Sequence, residues 1–502
     1  MVTQSNLTAQ QASELEKIQS FTGEYPRQLW HLFMIEMWER FCFYGMRGML
    51  TVFMAEQLLL SDKDANLQYG AIQAFIYAFT FIGGLFADKI LGLRKSLVWG
   101  AILMIAGGFL IAASPTRMFY WGICFSIVGT GFFKPNISSM VGQLYQEGDR
   151  RRDAGFSLFY AGINLGATLG GIVMTAVGLS YSWSLAFALV GVVMLISLLT
   201  FSLTKHTMGP IGLSPLTNSP VESNRRILEW ATYAGSLAII PLILVLVKNT
   251  AYTDMVMYTA GPLALLYVFY EMTKYDWAAV KRLWAAIIFI VFSVFFWAFF
   301  EQSGGSLALF ARNNLEGSLL GMSIDPNVVN NSANSIFVIL FAAPLGLVWL
   351  WLARRKLEPD SVVKFGLGFL ILAAAFYLFY ATIHFANANG MTSLHVFTLA
   401  YLVITFAELC LSPIGLSLMT KLSPQPMQGL MMGMWFLASA YGQYVAGLLG
   451  AGMSVANENA SALEKLTSYT NGYQTLSMYA LVLGILLIVI SPLVRKLMGS
   501  VR

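Results

Sequence analysis

Charge is what this 502-residue chain has least of: only 11% of its residues are Asp, Glu, Lys or Arg, while 57% are hydrophobic. Soluble domains carry about 25% charged residues, so this chain has too few to wrap a compact fold in water. With a mean hydropathy of +0.67, it reads as an integral membrane protein. Cysteine is also scarce. Cys42, Cys124 and Cys410 sit apart in apolar runs without CxxC spacing, which excludes a disulfide framework and a thiolate metal site. The four histidines, His31, His206, His384 and His395, fall near the ends of apolar runs or in loops. No buried imidazole relay is therefore expected, and proton chemistry falls to carboxylates. No HExxH, GxSxG or phosphate-loop pattern lies inside the apolar runs, so an enzyme is not expected, nor any cofactor or metal. The first 27 residues lack an apolar core, and no cleavable leader is expected there. The net charge of +5 carries no nucleic-acid signal, because its cations lie in loops between apolar runs.

What the chain has in abundance is runs of about 20 apolar residues, enough to cross a bilayer as a helix. About fourteen are visible, at 28–54, 68–90, 95–112, 117–143, 154–178, 182–203, 227–248, 252–272, 280–303, 330–353, 361–385, 393–416, 427–455 and 473–495. The pair at 227–272 follows a loop rich in Pro, Ser and Asn. Removing that pair leaves six spans on each side. The expected division is a polar N-terminal segment, 1–27, a six-helix bundle, 28–204, a linker with two additional helices, 205–279, and a second bundle, 280–502. Parallel six-span repeats mark the all-α major facilitator architecture, in which the substrate site lies between bundles at mid-membrane. Most Lys and Arg fall in one alternating set of loops, including Arg150–Arg152, Lys274, Lys281, Arg282 and Arg354–Lys356. By the positive-inside rule both termini are expected in the cytoplasm.

Charges inside the spans are the exceptions that carry information. Glu36, Glu39, Arg40, Arg47, Lys134, Glu301 and Glu408 all fall within apolar runs. Facing lipid, seven such groups would cost on the order of 20 kcal/mol, more than a domain's usual net stability. They must face one another or water. Glu36, Glu39 and Arg40 are spaced i, i+3, i+4 on one helix stripe, which Tyr44 and Arg47 continue. The cations Arg40, Arg47 and Lys134 come from the first half of the chain, and Glu301 and Glu408 from the second. A cavity lined this way would suit a zwitterion. Glu36 and Glu39 beside Arg40 could also be a packing device, whereas Lys134 and Glu408 have no opposite charge within reach on their own helices. Asp88, Arg94 and Lys95, in a loop, are expected to hold two helices together at the cytoplasmic face. On composition alone Trp297 and Trp435 read as core or interfacial aromatics.

The run Glu36-Met-Trp-Glu39-Arg40-Phe41-Cys-Phe43-Tyr44-Gly45-Met-Arg47 closely resembles the ExxERFxYYGMR motif of bacterial proton-dependent oligopeptide transporters, the POT (PTR) family. Further matches follow in order along nearly the whole chain: Gly83-Gly84-Leu-Phe-Ala-Asp88, Gly129-Thr-Gly-Phe-Phe-Lys134-Pro135-Asn136, Phe159-Tyr160-Ala-Gly-Ile-Asn164-Leu-Gly166, Trp297 to Gln302, and Glu408 to Leu416. The resemblance implies proton-coupled uptake of di- and tripeptides by alternating access, at the bacterial cytoplasmic (inner) membrane, with no cofactor beyond the proton gradient. Arg40 and Lys134 would receive the peptide carboxylate, and Glu408 its ammonium. Tyr44, Tyr77, Tyr160, Asn164 and Asn334 would hydrogen-bond its backbone and termini. Trp297, Trp435 and Ser412 would complete the substrate site, which moves the two tryptophans from core to function. Glu36, Glu39 and Arg40, with the pair Glu301 and Arg47, would couple the proton, and Lys134, Glu408, Arg47 and Glu301 would gate.

Three departures stand out. Phe43 replaces the first tyrosine of the YY pair, the second helix carries no histidine where animal relatives have one, and Ala167 replaces a serine after INxG. A relative carrying nitrate or another small solute with protons is the rival reading, and Glu408, a partner for an amine, argues against it. The topology has a direct test. A membrane-impermeant thiol reagent applied to intact cells should label a Lys465→Cys variant and leave Lys274→Cys unlabelled; the reverse pattern would invert the assignment.

Overall fold

The computed structural model describes residues 7–146, 148–218, 224–411, 415–455, 457 and 460–499. It is 85% helical. In order the α-helices among the described residues are α1 (Ala9–Gln19), α2 (Arg27–Glu56), α3 (Asp62–Phe86), α4 (Gly92–Ala113), α5 (Pro115–Gln143), α6 (Arg151–Ser180) and α7 (Trp183–Thr204). There follow α8 (Arg225–Ala238), α9 (Ile240–Lys248), α10 (Thr250–Met272), α11 (Trp277–Phe300), α12 (Ser306–Asn314) and α13 (Pro326–Arg354). The last are α14 (Ser361–Ala381), α15 (Leu394–Leu411), α16 (Gly415–Leu422), α17 (Gln428–Met453) and α18 (Ala462–Met498). One short hairpin, Ser318–Leu319 with Met322–Ser323, lies between α12 and α13.

Most spans sit where hydropathy puts them, with three informative differences. The N-terminal segment contains α1, started by a capping box in which Thr8 and Gln11 satisfy each other's backbone N–H. Gln19 ties it to the end of α5 by donating to the Gln143 carbonyl at 3.0 Å, and Arg151 donates to Phe21 O at 3.0 Å. Arg151 also bonds Asp149 and holds that carboxyl below its usual range. The last span begins at Ala462 rather than 473. Its first turns are polar, but Ser461 and Glu464 cap them and Leu466, Tyr469 and Thr470 are buried. Hydropathy misses such a stretch because packing against protein, not lipid, keeps it helical. Finally, the run at 280–303 ends in a 3-10 turn at Glu301–Gly304, and the helix resumes as α12.

The chain forms two compact units: the first joins Phe75–Lys248 to the segment ending at Arg47, and the second joins Gly48–Ala74 to the chain from Asn249 onward. In the first, α4 and α5 meet through glycines: a methyl at Gly100 would overlap Gly129 O, and one at Gly107 would overlap Gly122 O. Such small residues let membrane helices approach backbone to backbone. In the second, aromatic rings fill the core. Phe379 of α14 packs on Phe397 and Tyr401 of α15 and on Tyr473 of α18, at 5.2, 5.7 and 5.9 Å between ring centres. The segment 48–74 is part of this unit by specific contacts. Arg312 pairs with Glu56 at 2.5 Å, Asp62 accepts from Tyr469 at 3.2 Å, and Asn331 donates to Gly48 O at 3.1 Å.

The additional helices divide between the units. In the first, Lys95 grips both oxygens of Glu229 on α8 at 2.6 Å, and Trp99 donates to Ser236 at 2.9 Å. Arg94 donates to the carbonyls of Ile211 at 2.6 Å and Gly209 at 2.5 Å. The segment expected as a loop is helical, Asp88 lying in a π-helical turn and Arg94 and Lys95 in the first turn of α4, and these two cations fasten the linker and α8. In the second unit, Tyr444 donates to Asp254 of α10 at 2.5 Å, and Tyr441 accepts from Gly261 N at 2.7 Å. Gly261 is required there, because a methyl would occupy the place of the phenol oxygen.

Gly70 of α3 and Gly447 of α17 touch through their own Cα atoms, leaving no room for a side chain at either. Gly447→Val should therefore lower the melting temperature in detergent, an overpacking cost of about 1–3 kcal/mol. Gly452→Val, where nothing lies within 4 Å, should melt close to the parent. Equal melting of the two would refute the close contact.

Candidate functional site

The first unit gathers the charges of α2 into one buried cluster. Arg40 lies 3.1 Å from Glu36 through Nε and meets Glu39 through a terminal nitrogen, with all three side chains 2% exposed or less. The Glu36 contact follows from its i, i+4 spacing to Arg40, whereas Glu39, the preceding residue, is reached by the terminal nitrogen of the long arginine side chain. The contacts are charge contacts more than well-aimed hydrogen bonds: among the described residues, Glu36 Oε2, both Glu39 oxygens, and Arg40 Nε and one terminal nitrogen have no partner of good geometry. Lys134 of α5 acts electrostatically on both carboxylates. Two carboxyls and two cations thus meet across two helices. A buried network that is imperfectly bonded is under pressure to find better partners.

Aromatic rings hold the cations. The Phe43 ring lies 4.9 Å from the Arg40 guanidinium and 5.7 Å from Lys134 Nζ, and Lys134 is 4.5 Å from the Tyr77 ring. Phenylalanine in place of tyrosine at 43 therefore keeps the face that attracts cations. Tyr44 lies on the same helix, with the Arg47 guanidinium 5.8 Å from its ring. The glycines of α6 set how closely it meets α2. A methyl at Gly166 would overlap Met37 O and crowd the Arg40 Cβ, and one at Gly170 would overlap Phe41 O. Asn164, one turn away, folds back to donate to Tyr160 O at 3.0 Å.

The second unit holds two further buried or amide-bound carboxyls, Glu301 and Glu408. Asn334 of α13 donates to Glu408 of α15 at 3.0 Å and lies 3.1 Å from the Thr405 hydroxyl. Glu301 opens the 3-10 turn after α11 and is 4% exposed. Trp297, one turn earlier, packs edge-on against Phe296 and Phe300 at 5.5 Å, and its buried indole N–H has no acceptor among the described residues. Trp435 of α17 is buried against Gly415, where a methyl would overlap its ring. Ser412 lies outside the described residues. Among those described, no group of three or more His, Cys, Asp or Glu is placed to hold a metal.

Within the first unit, then, Glu36, Glu39, Arg40, Lys134 and Tyr77 come together, as do Tyr44 and Arg47. Within the second, Asn334 and Glu408 do. Sequence reasoning overlooked three polar groups here. Tyr401 donates to Asn330 Oδ1 at 2.6 Å, Asn330 donates to Ser303 O at 2.8 Å, and Gln302 bonds across the helix break. The amides Asn330, Asn331 and Asn334 at the head of an otherwise apolar helix were the available signal.

A family model described as the POT family matches residues 94–468. The peptide transporter YePEPT of Yersinia enterocolitica is 36% identical over 453 residues, covering 85% of this chain and 88% of that protein. Dipeptide and tripeptide permease B of Aeromonas hydrophila is 29% identical over 481 residues, covering 95% of each. Among solved structures, the peptide transporter POT in complex with sulfate superposes with a TM-score of 0.83 at 29% identity, covering 98% of this chain and 100% of that one. A mutant of that transporter in complex with alafosfalin gives 0.82 with the same coverage.

Arg40→Met should strip the cation in direct contact with both Glu36 and Glu39. Leaving buried charge uncompensated costs about 3–5 kcal/mol, so thermal unfolding in detergent should shift down strongly. Adding Glu36→Gln and Glu39→Gln to the same variant should recover much of that loss. No recovery would mean that the cluster is not held by charge.

Proposed function

The chain belongs to the POT family of membrane transporters, which are not enzymes, and from that premise we propose that it takes up di- and tripeptides together with protons. The observation that carries this reading is the buried cluster Glu36–Glu39–Arg40, with Lys134 acting on it from α5. Its charges meet without satisfying their hydrogen bonds, so a ligand carboxylate can replace a protein carboxylate on Arg40, the displaced glutamate taking up a proton so that the net charge is kept. Lys134 would share the incoming carboxylate. Glu408, oriented by Asn334, would receive the peptide ammonium. Tyr44, Tyr77, Tyr160 and Asn164 would bond the backbone and termini, while Trp297, Trp435 and Ser412 would line roomy side-chain pockets. Recognition through termini and backbone explains how one site accepts many peptides.

Proton coupling would use the same cluster and the pair Glu301 and Arg47. Neutralising Glu301 would weaken its hold on Arg47 and permit one side of the transporter to close. Rocking of the bundles 28–204 and 280–502 would expose the site alternately to each face, and pairs involving Lys134 and Glu408 would re-form after release. The names of the relatives support peptides as substrate. Transport of nitrate or another small anion is less well supported, because it leaves the Asn334–Glu408 pair without a purpose. The protein would sit in the bacterial inner membrane with both termini in the cytoplasm.

Labelled dialanine should accumulate in liposomes containing the protein when an inward proton gradient is imposed. Uptake no greater than in protein-free liposomes, with well-folded protein, would refute the proposal. Glu301→Gln should abolish this accumulation while leaving exchange of peptide across the membrane; intact concentrative uptake would remove Glu301 from the proton site.

A further inference from the structure

Gln302 has no part in the mechanism so far, yet it is 1% exposed and sits beside Glu301. It lies in the 3-10 turn Glu301–Gly304, which interrupts the helical run between Phe300 and Ser306. A break of this kind strips carbonyls of their usual donors, and inside a bilayer no water replaces them. The Gln302 side chain supplies the substitutes. Its amide nitrogen donates to Ala298 O, one turn back on α11, at 3.0 Å, and to Ala446 O on α17 at 3.1 Å. Its amide oxygen accepts from the Ser306 hydroxyl, at the first residue of α12, at 2.6 Å. Only this amide orientation places the two N–H groups on two carbonyls and the oxygen on a hydroxyl. One side chain therefore closes the last turn of α11, the first turn of α12, and the seam with α17. The far side of the turn is held by Asn330 on Ser303 O and by Thr51 on Gly304 O.

We propose that Gln302 is a positioning residue: by fixing the turn that Glu301 opens, it sets the direction of the Glu301 carboxylate and thereby couples proton movement to peptide movement. The inference rests on the reading of Glu301 as a proton group. Its physical basis is helical pitch. If the turn rewinds from three to 3.6 residues per turn, each residue rotates about the axis by about 20° relative to its predecessor. Glu301 then points away from its working direction, although its own chemistry is untouched. Misdirection of a reacting group by small distances costs orders of magnitude in rate while binding elsewhere persists.

The test compares gradient-driven accumulation of dialanine with gradient-free exchange in the same proteoliposomes. Gln302→Met keeps the volume and removes all three bonds. Gln302→Glu keeps the shape and the acceptor for Ser306 but loses both carbonyl donors, and serves if the first variant does not fold. Ser306→Ala leaves both carbonyls capped. Either Gln302 variant should lose accumulation about tenfold or more, with exchange at saturating peptide falling no more than about twofold. Ser306→Ala should stay near the parent in both assays. Parallel loss of accumulation and exchange, as a merely structural role requires, overturns the inference, and so does an unchanged ratio. Glu301→Gln separates the two levels. If it keeps accumulating peptide, the reading of Glu301 itself fails; if it does not, while the Gln302 variants keep the parental ratio, only the positioning role fails.

Discussion

The structure depends on how Arg40 is held. A guanidinium that is 1% exposed inside an apolar helix cannot shed its charge, so its neighbourhood must supply anions. Glu36 and Glu39 do so from the same helix, and Lys134 enters from α5 to balance them. This balance constrains everything packed around it. α6 must come close enough to exclude lipid, which needs glycine at 166 and 170, and aromatic faces at 43 and 77 must stand in for water around the cations.

The same logic governs the second unit, with amides instead of salt bridges. The helix that ends in Glu301 is broken, and a broken helix in an apolar medium survives only where side chains cap its free carbonyls. Gln302, Asn330 and Thr51 do this, and Asn334 does the corresponding service for the Glu408 carboxylate. Glycine contacts such as Gly70 on Gly447 let the helices approach without adding further polar groups to satisfy.

Much of this was legible in the sequence. Span positions followed from hydropathy, and the stripe Glu36, Glu39 and Arg40 followed from helical spacing. What lay beyond reach depended on packing between elements distant in sequence. The polar start of α18 is helical because Tyr469 and its neighbours are buried by other helices, and no local pattern announces that. Asp88, Arg94 and Lys95 looked like a clamp between two helices; the bonds of Arg94 and Lys95 run to residues 209–211 and to Glu229, which only the folded linker brings near. Gln302 was hidden for another reason. An amide beside a carboxylate reads as part of one motif, and its role appears only once the helix is seen to break beneath it.

The central claim is that the Arg40 cluster exchanges a protein carboxylate for that of a peptide. The most direct measurement is calorimetric titration of the purified protein with dialanine and with dialanine amide, which keeps the ammonium and backbone but lacks the terminal charge. A charge-assisted contact is worth about 1.5–3 kcal/mol, so the amide should bind about tenfold more weakly or worse. Equal affinity for the two would contradict the account.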